Sequence, residues 1–145
     1  MCTVGTFFDR MLSNFKEGNY AKVAEVFVLP CAIYFQADVI VVSDRARMQE
    51  ILQRQCDRNI QLGVRAITYS VPAQSYSRRN NYSVWVTWNH FDRHGDMMFA
   101  SNIRYFCRDS PEGTPTIQLL EFLEIPACFS EEEVQEMAQS SARSS

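Results

Sequence analysis

The sequence predicts an α+β domain in which helices come first and long antiparallel strands follow. Three observations carry that expectation. Apolar residues recur at helical spacing up to residue 63, apolar and polar residues alternate from residue 64 onward, and the alternating runs are separated by clusters of Asn, Asp, Gly and Pro.

Phe7, Phe8, Met11, Leu12 and Phe15 fall on one helical face, and Gly18 stands where a left-handed cap would end the helix, so the first helix is expected over residues 4–17. Asn19 suits the N-cap of a short second helix carrying Val23, Ala24, Val26 and Phe27. That helix should stop near Leu29, because Pro30 has no amide donor and restricts the residue before it. Strands are expected over 31–36 and 39–42. Ser43 or Asp44 then caps a third helix, which puts Met48, Ile51, Leu52, Gln55 and Cys56 on one side and closes at Gly63.

Four strands follow, over 64–76, 82–91, 97–108 and 116–125. The turn residues Arg79-Asn80-Asn81, Asp92-Arg93-His94-Gly95-Asp96 and Ser110 to Pro115 join consecutive strands as antiparallel hairpins, and Pro72 marks an edge or a bulge. Both faces of these strands are bulky and apolar, with Trp85 and Phe91 on one side and Val84, Val86 and Trp88 on the other. Three modest helices cover one face only, so the other is expected to meet a partner subunit, most simply a twofold copy. Beyond Pro126, Ser130-Glu131-Glu132-Glu133 reads as a capping box opening a short helix, and the final Ser-Ser-Ala-Arg-Ser-Ser as a disordered tail. The expected organisation is one domain over 1–129 and a short C-terminal helix with its tail over 130–145.

Composition narrows the function. With 145 residues, 46% of them apolar, the chain suffices for one core. Net charge is -3 and Lys and Arg form no block, which argues against nucleic acid and membrane surfaces as partners and for a small neutral or mildly polar molecule. No apolar run approaches a membrane span, and residues 1–9 carry no secretory pattern, so a cytoplasmic location is expected. The five cysteines lack a C-x-x-C pair and read as small buried hydrophobes. Dinucleotide, P-loop, nucleophile-elbow and H-E-x-x-H motifs are absent, and no cofactor is expected. His90-Phe91-Asp92-Arg93-His94 contains ligand types for zinc or iron but straddles a hairpin turn. Its residues read as solvated turn groups, and no metal site is assigned.

The order of elements, with Phe7-Phe8-Asp9-Arg10-Met11 through Gly18-Asn19-Tyr20, Val26-Phe27-Val28-Leu29-Pro30, the helix opened by Ser43-Asp44, and Trp88-Asn89-His90-Phe91-Asp92-Arg93-His94-Gly95, resembles the NTF2-like superfamily. That superfamily includes the ketosteroid isomerases, the SnoaL-like polyketide cyclases and many uncharacterised bacterial proteins. The resemblance spans residues 4–126 and implies a cone: a strongly bent antiparallel sheet wrapped around three N-terminal helices, with an apolar pocket between them. The alternative is a cone whose interior is packed shut.

Isomerase chemistry of the ketosteroid type needs a carboxylate base and two proton-bearing groups that stabilise an enolate. Counted from Gly18, the family's tyrosine falls on Met11 and its base on Phe35, while its neutral acid falls near Arg104, so that chemistry is rejected. A cyclase, dehydratase or isomerase without a cofactor would need an inward carboxylate, for which Glu121 and Glu124 are the candidates. Being three apart, they should lie on opposite faces of the last strand. If Arg104 faces the cavity, Asn102 accompanies it, and the neighbouring strand adds Trp85, Thr87 and Asn89; with Phe35 these form the candidate ligand-binding set. Three functions therefore stand: a non-catalytic ligand-binding homodimer, an enzyme using a strand glutamate, and an accessory subunit that docks on another protein through its sheet.

Overall fold

The computed structural model describes residues 3–124 and 131–144. Helix α1 (Val4–Lys16) starts where the Thr3 hydroxyl accepts from the amide of Thr6 at 3.1 Å, and buries Phe7, Phe8 and Met11. Past its end, Gly18 takes φ +77°, a conformation that favours glycine. Helix α2 (Tyr20–Glu25) is shorter than expected, for the chain turns extended before Pro30 rather than at it. Tertiary pairing decides this: strand β1 (Phe27–Phe35) already has a partner at Phe27, in register with Ile117, and the amide of Ile117 donates to the carbonyl of Val26 at 2.8 Å.

Strand β2 (Asp38–Val42) folds back on β1, and Asp44 caps α3 (Arg45–Leu62) by accepting from the amide of Arg47 at 2.7 Å. The first residue of α3, Arg45, reaches back to the carbonyls of Ala24 and Phe27, so one guanidinium satisfies the end of α2 and the start of β1. Gly63 closes α3 in the left-handed conformation.

Strands β3 (Ala66–Gln74), β4 (Asn81–Phe91), β5 (Met97–Asp109) and β6 (Pro115–Phe122) follow as successive antiparallel hairpins. The six strands lie in the order β2-β1-β6-β5-β4-β3. One pair corrects the expected antiparallel sheet: β1 and β6 run parallel, which joins the N-terminal hairpin to the C-terminal meander and makes the sheet mixed. Register shifts occur in β1/β6, β3/β4, β4/β5 and β5/β6, and such irregularities bend and twist strands. Pro72 lies in the shift between Ser70 and Ala73 on the edge strand, as its missing amide requires.

Helices α1 and α3 cover the concave, or inner, face. Phe8 is fully buried there, its ring 6.0 Å from Tyr69, 6.1 Å from Trp88 and 5.1 Å from Tyr105, so α1 packs across β3, β4 and β5. Helix α4 (Glu131–Ser144) packs on β2 and buries Val134 and Met137. It runs through residues 140–144, where a disordered tail was expected. With its N-terminal half anchored, each further turn adds a backbone hydrogen bond without a new nucleation cost. The proposed cap at Ser130 lies outside the described residues.

Candidate functional site: the cavity under the helices

Alternation along β4 and β5 sends Trp88, His90, Ser101, Ile103 and Tyr105 to the inner face, opposite the stripe of α3 that continues from Met48, Ile51 and Leu52 to Gln55 and Asn59. Between them lies a cavity of about 90 Å³. Met11, Leu12 and Phe15 of α1 close one side, and Phe27, Leu120 and Phe122 another.

The wall is mostly apolar, and its polar groups share two features. None carries a formal charge at neutral pH: they are Gln55, Asn59, His90, Ser101, and the Trp88 and Tyr105 tips. Several also lack partners. Asn59 is 4% exposed and His90 5%. Asn59 Oδ1 and His90 Nδ1 are buried orphans. Tyr105 accepts from Trp88 Nε1 at 3.0 Å.

Burial pulls the His90 imidazole below its ordinary pKa. The nearby backbone at Phe99 and Trp88 opposes this only in part and without a regular hydrogen bond to Nδ1. The imidazole stacks on Phe99 with centroids 4.2 Å apart. Burial pushes the Tyr105 phenol up. At pH 7 both groups are therefore neutral.

Trp85, Thr87, Asn89, Asn102 and Arg104 are brought together, but on the outer face of the sheet, away from the cavity. The expected set is conditional on Arg104 facing the cavity, and because side chains alternate with period two, its outward position takes the others with it. On the outer face these residues are largely engaged. Thr87 Oγ1 donates to Asn102 Oδ1 at 2.7 Å, and Glu124 accepts from the Asn102 amide at 2.7 Å and from its side chain at 3.2 Å. The Arg104 guanidinium lies 5.1 Å from the Trp85 ring and 4.1 Å from that of Phe106, with Ser83 Oγ at 3.4 Å.

Neither glutamate enters the cavity. Glu121 stands opposite Arg104 in register on the outer face, and β6 ends at Phe122, so strand alternation never reaches Glu124. Phe35 stacks face to face on Phe122 at 4.7 Å and lines a smaller void of about 40 Å³ behind the main one. His90 lies in β4, within the strand expected over 82–91, but is buried rather than solvated, while His94 sits in the exposed turn, where its amide donates to Asp92 Oδ1 at 2.8 Å.

The architecture is the NTF2-like cone fold. No family model and no curated protein sequence matches the chain. Among solved structures, a domain of unknown function with a cystatin-like fold from Nostoc punctiforme superposes with a TM-score of 0.63 at 15% identity, over 96% of this chain and 93% of that one. Aln2 from a Streptomyces species gives 0.62 at 11% identity, over 83% and 87%. An NTF2-like designed protein gives 0.58 at 11% identity, over 77% and 89%. At these identities the likeness is one of fold.

Proposed function

We propose that this is a small-molecule-binding protein that holds its ligand between the helices and the sheet without acid-base catalysis. The carrying observation is the pair Asn59 and His90: buried in an apolar wall, with Oδ1 of the first and Nδ1 of the second lacking a partner among the described residues. A buried polar group left unpaired costs about 1–3 kcal/mol, and a ligand offering partners recovers that cost. Among the described residues the wall holds no carboxylate, so the reading of Glu121 or Glu124 as a proton-transfer group gains no support. Native mass spectrometry of protein purified without denaturant tests the reading. A small molecule should accompany the chain and be lost from an Asn59→Leu variant; bare protein that no neutral compound stabilises against heat would overturn it.

The outer face supports a second element of the proposal, assembly as a homodimer in the cytoplasm. Tyr34, Val39 and Val41 are 40–41% exposed side by side on β1 and β2. Arg104 and Glu121, on the same face, form no ion pair among the described residues. Apolar surface edged by one cation and one anion that form no ion pair among the described residues suits a twofold copy, in which each charge meets its opposite. The described cysteines Cys31, Cys56 and Cys107 are free thiols, in keeping with a reducing compartment. Sedimentation at micromolar concentration should give twice the chain mass. A monomer, or a different protein bound in fixed ratio, would replace the second copy with no partner or with the accessory-subunit reading.

A further inference from the structure

We propose that the cavity selects neutral ring compounds that present a hydrogen-bond donor beside an acceptor, as a lactam does, and that Asn59 reads the pair. The inference rests on the ligand-binding reading and narrows it.

Charge is settled first. Among the described residues no Asp, Glu, Lys or Arg lines the cavity, and the one that titrates near neutrality, His90, is held neutral by the same burial. An ionised ligand would lose its hydration and find no counter-charge, so a neutral one is favoured.

Hydrogen-bonding pattern is settled by Asn59. Its carboxamide carries an acceptor oxygen and a donor nitrogen on adjacent atoms. It sits on the inward stripe of α3 beside Leu52 and Gln55, where a leucine would bury at no hydrogen-bonding cost. Oδ1 is buried and orphaned, and no described residue bonds to Nδ2. The complement of a carboxamide edge is a donor and an acceptor held side by side. His90 and the hydroxyl of Tyr105 offer further polar partners elsewhere on the wall.

Size and shape come from the rest of the wall. Phe15, Trp88 and Tyr105 present ring surfaces, which suit a flat or puckered ring. A volume of about 90 Å³ is below the roughly 150 Å³ of a cavity that holds benzene, so a five-membered ring is the better probe.

Three nearly isosteric probes separate the possibilities: 2-pyrrolidinone, with donor and acceptor; cyclopentanone, with the acceptor alone; and methylcyclopentane, with neither. Dissociation constants are read from NMR shifts of the Asn59 side-chain amide and of cavity methyl groups in the intact chain. The expected result is 2-pyrrolidinone binding at least tenfold tighter than cyclopentanone, roughly the value of one satisfied hydrogen bond. In Asn59→Leu that preference should vanish while methylcyclopentane still binds. Equal or reversed affinities in the wild type, or a preference that survives in Asn59→Leu, would overturn the lactam-type selection and leave the cavity as a ligand site. Silence of the cavity resonances to all three probes would overturn both readings. The wild-type comparison stands even where the variant folds poorly.

Discussion

The same two strands treat polar side chains in opposite ways on their two faces. On the outer face of β4 and β5, Thr87 and Asn102 bond to each other, Glu124 accepts twice from Asn102, and Arg104 lies against Trp85 and Phe106. On the inner face His90 is more deeply buried and its Nδ1 has no partner among the described residues, and Asn59 Oδ1 on the facing helix is in the same state. Burial and satisfaction normally rise together, because desolvation without a partner is costly. On the inner face that separation reaches two uncharged groups, Asn59 Oδ1 and His90 Nδ1, and supports the proposed site; on the outer face it is confined to Arg104 Nε, while Thr87, Asn102 and Glu124 bond to one another. The outer face instead leaves Tyr34, Val39 and Val41 partly exposed, which is what the proposed interface would cover.

The largest effect that sharpens this contrast is expected at Phe8. Truncation to alanine empties the place where α1 meets β3, β4 and β5, and should cost about 3–5 kcal/mol in urea unfolding. A cost below 1 kcal/mol would mean that the helical layer is not seated on the inner face as described.

Next comes the outer face, where Tyr34→Lys combined with Val39→Lys places two like charges per chain in the proposed interface. The dimer should weaken by about 3 kcal/mol, a hundredfold or more in its dissociation constant, while the isolated chain changes by about 0.5 kcal/mol at most. Sedimentation equilibrium reads the first quantity and denaturation at high dilution the second. An unaffected dimer would move the interface elsewhere.

The order of elements was legible because each rests on local chemistry: Asp44, Gly18 and Gly63 mark helix ends, and the turn residues near 80, 94 and 112 separate strands. What needed three dimensions was anything set by pairing between distant segments. Pro30 looked like the stop of α2, yet the β1/β6 ladder had already drawn Phe27 into the sheet. The site failed for a related reason. Period two says which residues share a face, so Trp85, Thr87, Asn102 and Arg104 were grouped correctly, but it does not say which face is concave. A signal for Asn59 was present: it extends the stripe Met48, Ile51, Leu52, Gln55 by one more turn, and a polar residue there is out of pattern. His90 shares its parity with Val84, Val86 and Trp88, which placed it with the core rather than with the turn.

A smaller effect probes the satisfied side of the contrast. Thr87→Val keeps the shape of the side chain and removes the bond to Asn102, and should cost about 1 kcal/mol in chemical denaturation. No change in cavity binding should accompany it, since the sheet separates the two faces. A shift in the affinity of a cavity ligand would show that the outer network positions the inner wall.

The smallest effect lies in the slope of stability with pH, and it tests the unsatisfied side. Burial lowers the pKa of His90 in the folded chain below the 6.5 of an ordinary histidine, so the unfolded chain takes up the proton first as pH falls. Stability contributed by neutral His90 is therefore complete above pH 6.5 and declines from there down to the folded pKa. Tyr105, the other titratable group on the cavity wall, has its pKa raised by burial and stays protonated throughout that window. His90→Gln removes the titration, so the difference in unfolding free energy between wild type and variant should be flat from pH 8 to 7 and tilt against the wild type below pH 6.5. A neutral ligand in the cavity should steepen the tilt, since it binds only the chain with His90 uncharged. A difference that stays flat down to pH 5 would mean that water reaches the imidazole freely, and the inner face would then lose the distinction on which its role as a site depends.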